Sequence, residues 1–439
     1  MGLEILKRGR KRSFRTRSLS ACGQWPGSLS GLRFRYIIIL LLFLVLPSRT
    51  EAILELEVEE EIADLLPNTF PGLFEMDDPV NRVWGVLPQI GYGPETGVVG
   101  GLKGIHRNIG NQGIVADINM TYGENKQQAY TFSLGVPNFL DDRLIILLRL
   151  QYRLDPMREF FGVGNNDIDS ADVSDYGYED IAGALTVGWR LFRRLAFNFG
   201  LGVRHLDTWC NEEKESKGCT LEKFPYLPGI NGGLVNYLKF SAVWNNRDDI
   251  FRPTRGWRLI FKIIHTNKVF LSDFTFTRVA ADAGYLRSFF SDRVVFGLRL
   301  HFQWVTGPEK EIPFWELTQL GGSDSLRGYY PHRFLGKGQL MLNGECRFLL
   351  MEFPFFNIGY FRLDGVLFGD GGRVFISQDE IQAEFTLDRD FIDRVLEVPR
   401  YSYGTGLRLV VSRSFLARID VGFSEEEDGL VYLSFGHTF

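Results

Sequence analysis

The chain has 439 residues, a formal charge of −5, 14% aromatic residues with 38 Phe, and 48 Gly; its mean hydropathy is −0.07. A hydrophobic share of 45% excludes an uncollapsed chain. A polytopic helical membrane protein needs several apolar runs of about 20 residues, and only one run, near the N-terminus, approaches that.

Residues 1–52 hold ten Lys/Arg against Glu4 and Glu51, a net of +8. The apolar stretch Tyr36 to Leu46 follows Arg33 and Arg35 and ends at Pro47, with Thr50-Glu51-Ala52 ahead of a cut after Ala52. A basic n-region, a short apolar run and a small-residue site are the parts of a secretory signal. The long n-region leaves a downstream start or a signal anchor as alternatives, and an Arg- and Ser-rich transit peptide as the rival. Taking +8 away from −5 leaves −13 for the remainder, an acidity that disfavours nucleic acid as a partner. Ile53 to Val83 follows, 31 residues with Glu55, Glu57, Glu59, Glu60 and Glu61. Leu54, Val58, Ile62 and Leu65 fall at near-helical spacing. The segment reads either as an acidic tether or as a short helix that plugs a lumen or lies in the periplasm.

From residue 84 onward the period changes to two. In Arg143 to Arg153, Leu144, Ile146, Leu148, Leu150 and Tyr152 share one face, opposite Arg149, Gln151 and Arg153. Val294, Phe296, Leu298, Leu300, Phe302 and Trp304 likewise oppose Arg299, His301 and Gln303; Ala417, Ile419, Val421 and Phe423 oppose Arg418 and Asp420. Segments of about 10 residues with one apolar face and aromatics near their ends are the signature of a membrane barrel with lipid outside and a polar lumen. The reading is all-β: a 16-stranded antiparallel transmembrane β-barrel over 84–439. Its strands start near residues 84, 97, 112, 127, 142, 176, 193, 234, 255, 274, 292, 338, 357, 400, 414 and 428. Long connections, at 155–175, 207–233, 306–337 and 371–399, all follow odd-numbered strands, so one end of the barrel is rich in loops. Export and this architecture place the chain in an outer membrane, in contact with lipid and lipopolysaccharide.

Cys210 and Cys219 sit nine apart in a polar stretch and read as a loop-closing disulfide, with two free thiols as the alternative. Cys346 is left unpaired on a strand. His106, His205, His265, His301, His332 and His437 show no metal spacing, and neither a nucleophile elbow nor a phosphate loop is present. The expectation is no enzyme activity, no cofactor and no metal. Glu425-Glu426-Glu427-Asp428 forms an acidic turn at the loop-rich end, read as a solvated loop or as a site for divalent ions bridging lipopolysaccharide. The stretch 378–399 reads as a short helix capping the mouth.

Several motifs resemble the Omp85 superfamily (the BamA/TamA and surface-antigen D15 group). Leu87-Pro88-Gln89-Ile90-Gly91-Tyr92-Gly93-Pro94-Glu95-Thr96-Gly97 resembles its opening hairpin, Phe160-Phe161-Gly162-Val163-Gly164-Asn165 its mid-barrel glycine motif, and Asn246 to Gly256 its Asp-rich turn. Gly321 to Tyr329 is similar to the loop carrying the family's Arg-Gly-Phe/Tyr tripeptide, here Arg327, Gly328 and Tyr329. Leu367 to Phe375 is similar to the strand that receives it, and Phe439 with Gly436 to the C-terminal signal. On alternation Glu345 shares a face with Asn343 and Arg347. The resemblance implies that the 306–337 loop folds into the lumen and that Arg327 docks on Asp370, with Glu345 nearby. A buried guanidinium has to be paired, and Gly328 is expected to permit a tight turn.

It also implies a lateral gate between the first and last strands. The first strand, Trp84 to Gly93, contains Gly85, Pro88, Gly91 and Gly93, and Pro88 has no N–H to give a ladder. Across the seam lie Tyr432 and Gly436, facing inward, and Phe439. The 31 residues before the first strand are too few for one of the family's periplasmic POTRA modules, so docking of accessory periplasmic factors is in doubt. The expected function is insertion or translocation of proteins, nascent outer-membrane proteins among them. A pore for small solutes and a structural or surface-interaction barrel are the alternatives.

Overall fold

Alternating residues put successive side chains on opposite faces of a strand, and a sheet whose outer face meets hydrocarbon closes on itself because an open edge leaves backbone groups unpaired. The computed structural model describes residues 84–139, 143–165, 173–211, 218–249, 252–355, 359–376, 399–411 and 415–435. The signal over 1–52, the segment 53–83, the helix over 378–399, and Gly436 and Phe439 all lie outside those residues. Sixteen strands form a closed antiparallel barrel. They are β1 (Trp84–Gly93), β2 (Gly97–Ile109), β3 (Ile114–Gly123), β4 (Gln128–Phe139), β5 (Leu144–Phe160), β6 (Ser174–Phe192), β7 (Leu195–Trp209) and β8 (Gly233–Asn245), then β9 (Gly256–Thr266), β10 (Phe276–Phe289) and β11 (Val294–Thr306). After the hairpin β12 (Thr318–Leu320) and β13 (Phe334–Gly336), a separate two-stranded sheet that Leu335 bridges to Gly164, come β14 (Gly338–Phe355), β15 (Gly359–Phe375), β16 (Arg400–Val411), β17 (Phe415–Phe423) and β18 (Leu430–Phe435).

Every barrel strand begins within two residues of its expected start. The lengths differ more. β5 has 17 residues and β6 has 19, so both run into the stretch expected as the loop 155–175. The reason is packing. Phe160, Tyr176 and Tyr178 at those strand ends are buried against the inserted loop residues Phe314 and Trp315, so the wall continues upward as a core.

Burial follows the alternation. On β7, Phe199, Leu201 and Val203 are exposed on the outer face, as are Leu259 and Phe261 on β9 and Leu298 and Leu300 on β11. Arg299, Asn343, Glu345, Arg347, Asp370, Arg408, Arg418 and Asp420 point inward and are buried. Near the short-turn end Trp257 and Tyr285 lie 4.3 Å apart on the outer face. Connections after β5, β7, β11 and β15 are long, and all fall at the end opposite the tight turn 193–194.

Candidate functional site

Register across the barrel wall builds the receiving surface. Arg299, Asn343, Asp370 and Ser402 are direct neighbours across β11, β14, β15 and β16. In the next inward row, Glu345, Phe368, Gly404 and Gly422 are neighbours across β14 to β17. The lumen wall therefore carries one carboxylate in each row, Asp370 and Glu345, and the Phe368 ring lies between Glu345 and Gly404.

The connection from β11 to β14 reaches this surface from the opposite wall. Its first arm is fixed there: Phe314 and Trp315 pack among Phe160, Tyr176, Tyr178, Leu206, Phe274 and Phe276. Trp315 Nε1 donates to Gly229 O at 3.0 Å, and Glu316 accepts from Arg204 Nη1 at 2.5 Å and from Arg278. The hairpin β12–β13 then presents its tip, where Gly321 and Gly322 take φ values of 113° and 98°, in the left-handed region that favours glycine.

Arg327 at that tip is fully buried. Its Nε donates to Asp370 Oδ2 at 2.8 Å, Nη2 to Asp370 Oδ1 at 2.6 Å, and Nη1 to Glu345 Oε1 at 2.5 Å. The guanidinium lies 3.6 Å from the centroid of the Phe368 ring, a cation–π contact in a dry setting. Burial opposes the Arg327 charge, but Asp370 and then Glu345 outweigh it, and its pKa lies above the ordinary value.

The partners are held in turn. Asp370 also accepts from Asn343 Nδ2 at 2.8 Å and Ser402 Oγ at 3.3 Å. Glu345 accepts from Arg347 Nε at 2.9 Å and Arg408 Nη2 at 3.1 Å. Arg408 Nη1 donates to Asp420 at 2.7 Å, and Arg418 bonds Asp324, Ser323 O at 2.9 Å and Ser434. Four arginines thus face four carboxylates: Arg327, Arg347, Arg408 and Arg418 against Asp324, Glu345, Asp370 and Asp420. The sequence reading named Arg327, Asp370 and Glu345 only. Arg347, Arg418 and Asp420 were visible in it as members of a polar face, without partners, and Arg408 was not singled out.

Gly328 lies in the expected tight turn, closed by Tyr329 N donating to Leu326 O at 3.1 Å, and it has a second part: a Cβ there would lie 2.4 Å from Phe423 O. The matching Cβ on Gly422 would lie 2.0 Å from Arg327 O. The two glycines let the loop backbone lie directly on β17.

The tip also reaches the last strand. Tyr432 Oη donates to Tyr329 O at 2.7 Å, and Ser424 Oγ donates to Gly328 O at 2.7 Å. Burial and then Glu425 push the Tyr329 phenol pKa up. The acidic turn is not simply solvated: Glu426 accepts from Arg333 at 2.7 and 2.8 Å, and Glu425 pairs with Arg400. Arg400 also bonds Asn165 O, while Asn165 Nδ2 donates to Val374 O at 2.6 Å and Oδ1 accepts from Val374 N at 2.9 Å. Asn165, in the mid-barrel glycine motif, therefore caps β15 from inside. Among the described residues no group of His, Cys, Asp and Glu is arranged to hold a metal. Cys210 and Cys219 are disulfide-bonded, and Cys346 is free.

At the closure, β1 pairs with β2 at ten positions, from Trp84↔His106 to Gly93↔Gly97. Among the described residues its register with β18 is Tyr92↔Leu433. Gly85 lies opposite Ile105, Pro88 opposite Leu102 and Gly91 opposite Val99, all on β2.

Solved structures share this architecture. BamA from Haemophilus ducreyi lacking POTRA domains 1–3 matches with a TM-score of 0.58 and 16% identity, over 81% of this chain and 70% of that one. CdiB from Escherichia coli gives 0.56 and 14%, and CdiB from Acinetobacter baumannii 0.53 and 12%, each over 81% of this chain. The chain spans 62% and 60% of the lengths of those two CdiB chains. The Omp85 superfamily domain matches residues 108–439, and the chain belongs to the Omp85 superfamily.

Proposed function

We propose that this chain is an outer-membrane barrel that assists insertion or translocation of proteins, with the β1–β18 closure as its working part and the Arg327 tip as the clamp that keeps the rest of the wall closed. The observation carrying the proposal, among the described residues, is the hold of the lumen loop on the last strand. β18 is tied to β17 at six register positions, from Ala417↔Phe435 to Gly422↔Leu430, and through Ser434 to Arg418; Tyr432 ties it to the lumen loop. β1 is tied along its length to β2 and meets β18 at Tyr92↔Leu433. Pro88 has no amide hydrogen for that ladder. A seam of this kind opens by moving the β1 side and leaves β18 as a clamped edge, able to template an incoming strand. The partners on this reading are membrane lipid and lipopolysaccharide around the wall and unfolded outer-membrane proteins at the seam. The lumen loop argues against an open pore for solutes, since its tip and first arm are both fixed to the wall.

The test is assisted folding. Purified barrel in liposomes is mixed with a urea-unfolded outer-membrane barrel protein, and folding is followed by the heat-sensitive gel shift of the client. Faster folding than in protein-free liposomes is expected. No acceleration, together with a large steady conductance in planar bilayers, would replace this reading with the pore.

A further inference from the structure

The connection between β9 and β10, residues 267–275, buries Phe274 in the core and presents Val269 and Leu271 to the outside. Lys268–Phe270 forms a single 3-10 turn capped by Asn267, whose side chain accepts from Val269 N at 2.9 Å. Leu271 follows at φ 62°, a left-handed conformation that glycine takes freely and an L side chain does not. Val269 and Leu271 are 82% and 80% exposed. A tip that needed only to turn would use glycine here, and one that needed only to be soluble would be polar.

Its place on the wall is fixed by two outward-facing residues. Asn236 on β8 sits on the same face as Leu238 and directly opposite Val203 on β7, both exposed and apolar. Its Nδ2 donates to Phe270 O at 2.8 Å and to Leu271 O at 3.0 Å. On β9, His265 shares the outer face with Leu259 and Phe261, and the Phe270 ring meets its imidazole edge-on at 6.2 Å. The tip is therefore folded over the outside of β8 and β9, level with side chains that continue the apolar belt. Its charges are paired: Lys268 Nζ bonds Glu311 Oε1 at 2.8 Å, and Asp273 Oδ2 accepts from Leu234 N at 2.7 Å.

We propose that Val269, Phe270 and Leu271 form a lipid anchor, a rigid apolar knob that dips into the acyl-chain region of the outer leaflet beside β8 and β9. Asn236 is the device that makes it work. An amide side chain facing lipid would go unsatisfied; by bonding the tip carbonyls it satisfies itself and holds the knob against the belt. A lipid surface is the occupant that continuity requires, because the knob extends a face that already meets acyl chains. The inference rests on the outward face being lipid-facing and is independent of the seam.

The test uses an environment-sensitive fluorophore on single cysteines in a Cys22→Ser, Cys346→Ser background. Labels at Val269→Cys and Leu271→Cys are compared with Phe261→Cys in the belt and Glu309→Cys at the mouth, in phosphatidylcholine vesicles with and without bromine on the upper acyl chain. Quenching at 269 and 271 comparable to that at 261, with none at 309, is expected. Quenching at 261 but not at 269 or 271 overturns the anchor and leaves the membrane placement standing; quenching at none of them removes that placement as well. Shielding at 269 that appears only at high protein density would indicate a second copy as the occupant and also overturns the proposal. Asn236→Ala should lower quenching at 269 and leave 261 unchanged. Undiminished quenching there would remove the role given to Asn236.

Discussion

Replacing Arg327 by Ala removes three charge-assisted hydrogen bonds, at 2.8, 2.6 and 2.5 Å, and the ring contact to Phe368. The loss falls unevenly on the two acceptors. Glu345 keeps Arg347 and Arg408, whereas Asp370 keeps, among the described residues, only the neutral donors Asn343 and Ser402 and the residue-327 amide, which donates to Oδ2 at 3.3 Å. Breaking a buried ion pair from one side costs about 3–5 kcal/mol, because a charge is left uncompensated. Most of that deficit should sit on Asp370. Arg327→Ala/Asp370→Asn should therefore recover part of the loss, while Arg327→Ala/Glu345→Gln should be worse, since it leaves Arg347 and Arg408 short of an acceptor. Arg327→Lys should fall between, as one ammonium cannot span both carboxylates in a fork. The assay is the temperature at which the folded band gives way to the unfolded one on unboiled gels, with urea unfolding in detergent as the second measure. An unchanged transition for Arg327→Ala, or a double variant with Asp370→Asn no better than the single one, would refute the argument.

Gly422→Ala places a Cβ 2.0 Å from Arg327 O, so the tip must lift off β17; a cost of about 1–3 kcal/mol, the range for overpacking, should appear in the same gel assay, with increased proteolysis of the 307–337 loop. Tyr432→Phe removes the bond to Tyr329 O and should cost about 1 kcal/mol while raising the rate of assisted folding, because the last strand is less tightly held. Cys210→Ser/Cys219→Ser opens a short loop and should lower stability toward urea by about 2–3 kcal/mol on the chain-entropy scale, without changing client folding.

The barrel was legible because lipid outside and charge inside impose one rule on every strand, and a period of two is readable from a single segment such as Val294 to Trp304. Strand length was less so: the upper ends of β5 and β6 are stabilised by Phe314 and Trp315, residues more than a hundred positions away. At the site, alternation fixes which face Glu345, Arg347, Arg418 and Asp420 occupy. It does not fix their height around the barrel, and height decides that Arg408 reaches both Glu345 and Asp420. The cations that pair with the acidic turn 425–428 were not legible, because Arg333 comes from a folded loop and Arg400 from the start of the neighbouring strand β16. The turn at Gly328 was legible, but its close approach to Phe423 O was not, because β17 is almost a hundred residues further on.

The most direct test of the proposed mechanism is a lock across the closure. Tyr92→Cys with Leu433→Cys places thiols on directly opposed residues of β1 and β18, in a background free of Cys22 and Cys346. Oxidised and reduced barrels are then compared for assisted folding of the same client. The lock should abolish the acceleration and reduction should restore it, with the single-cysteine variants unaffected. A locked barrel that accelerates folding as well as the reduced one would contradict a working seam.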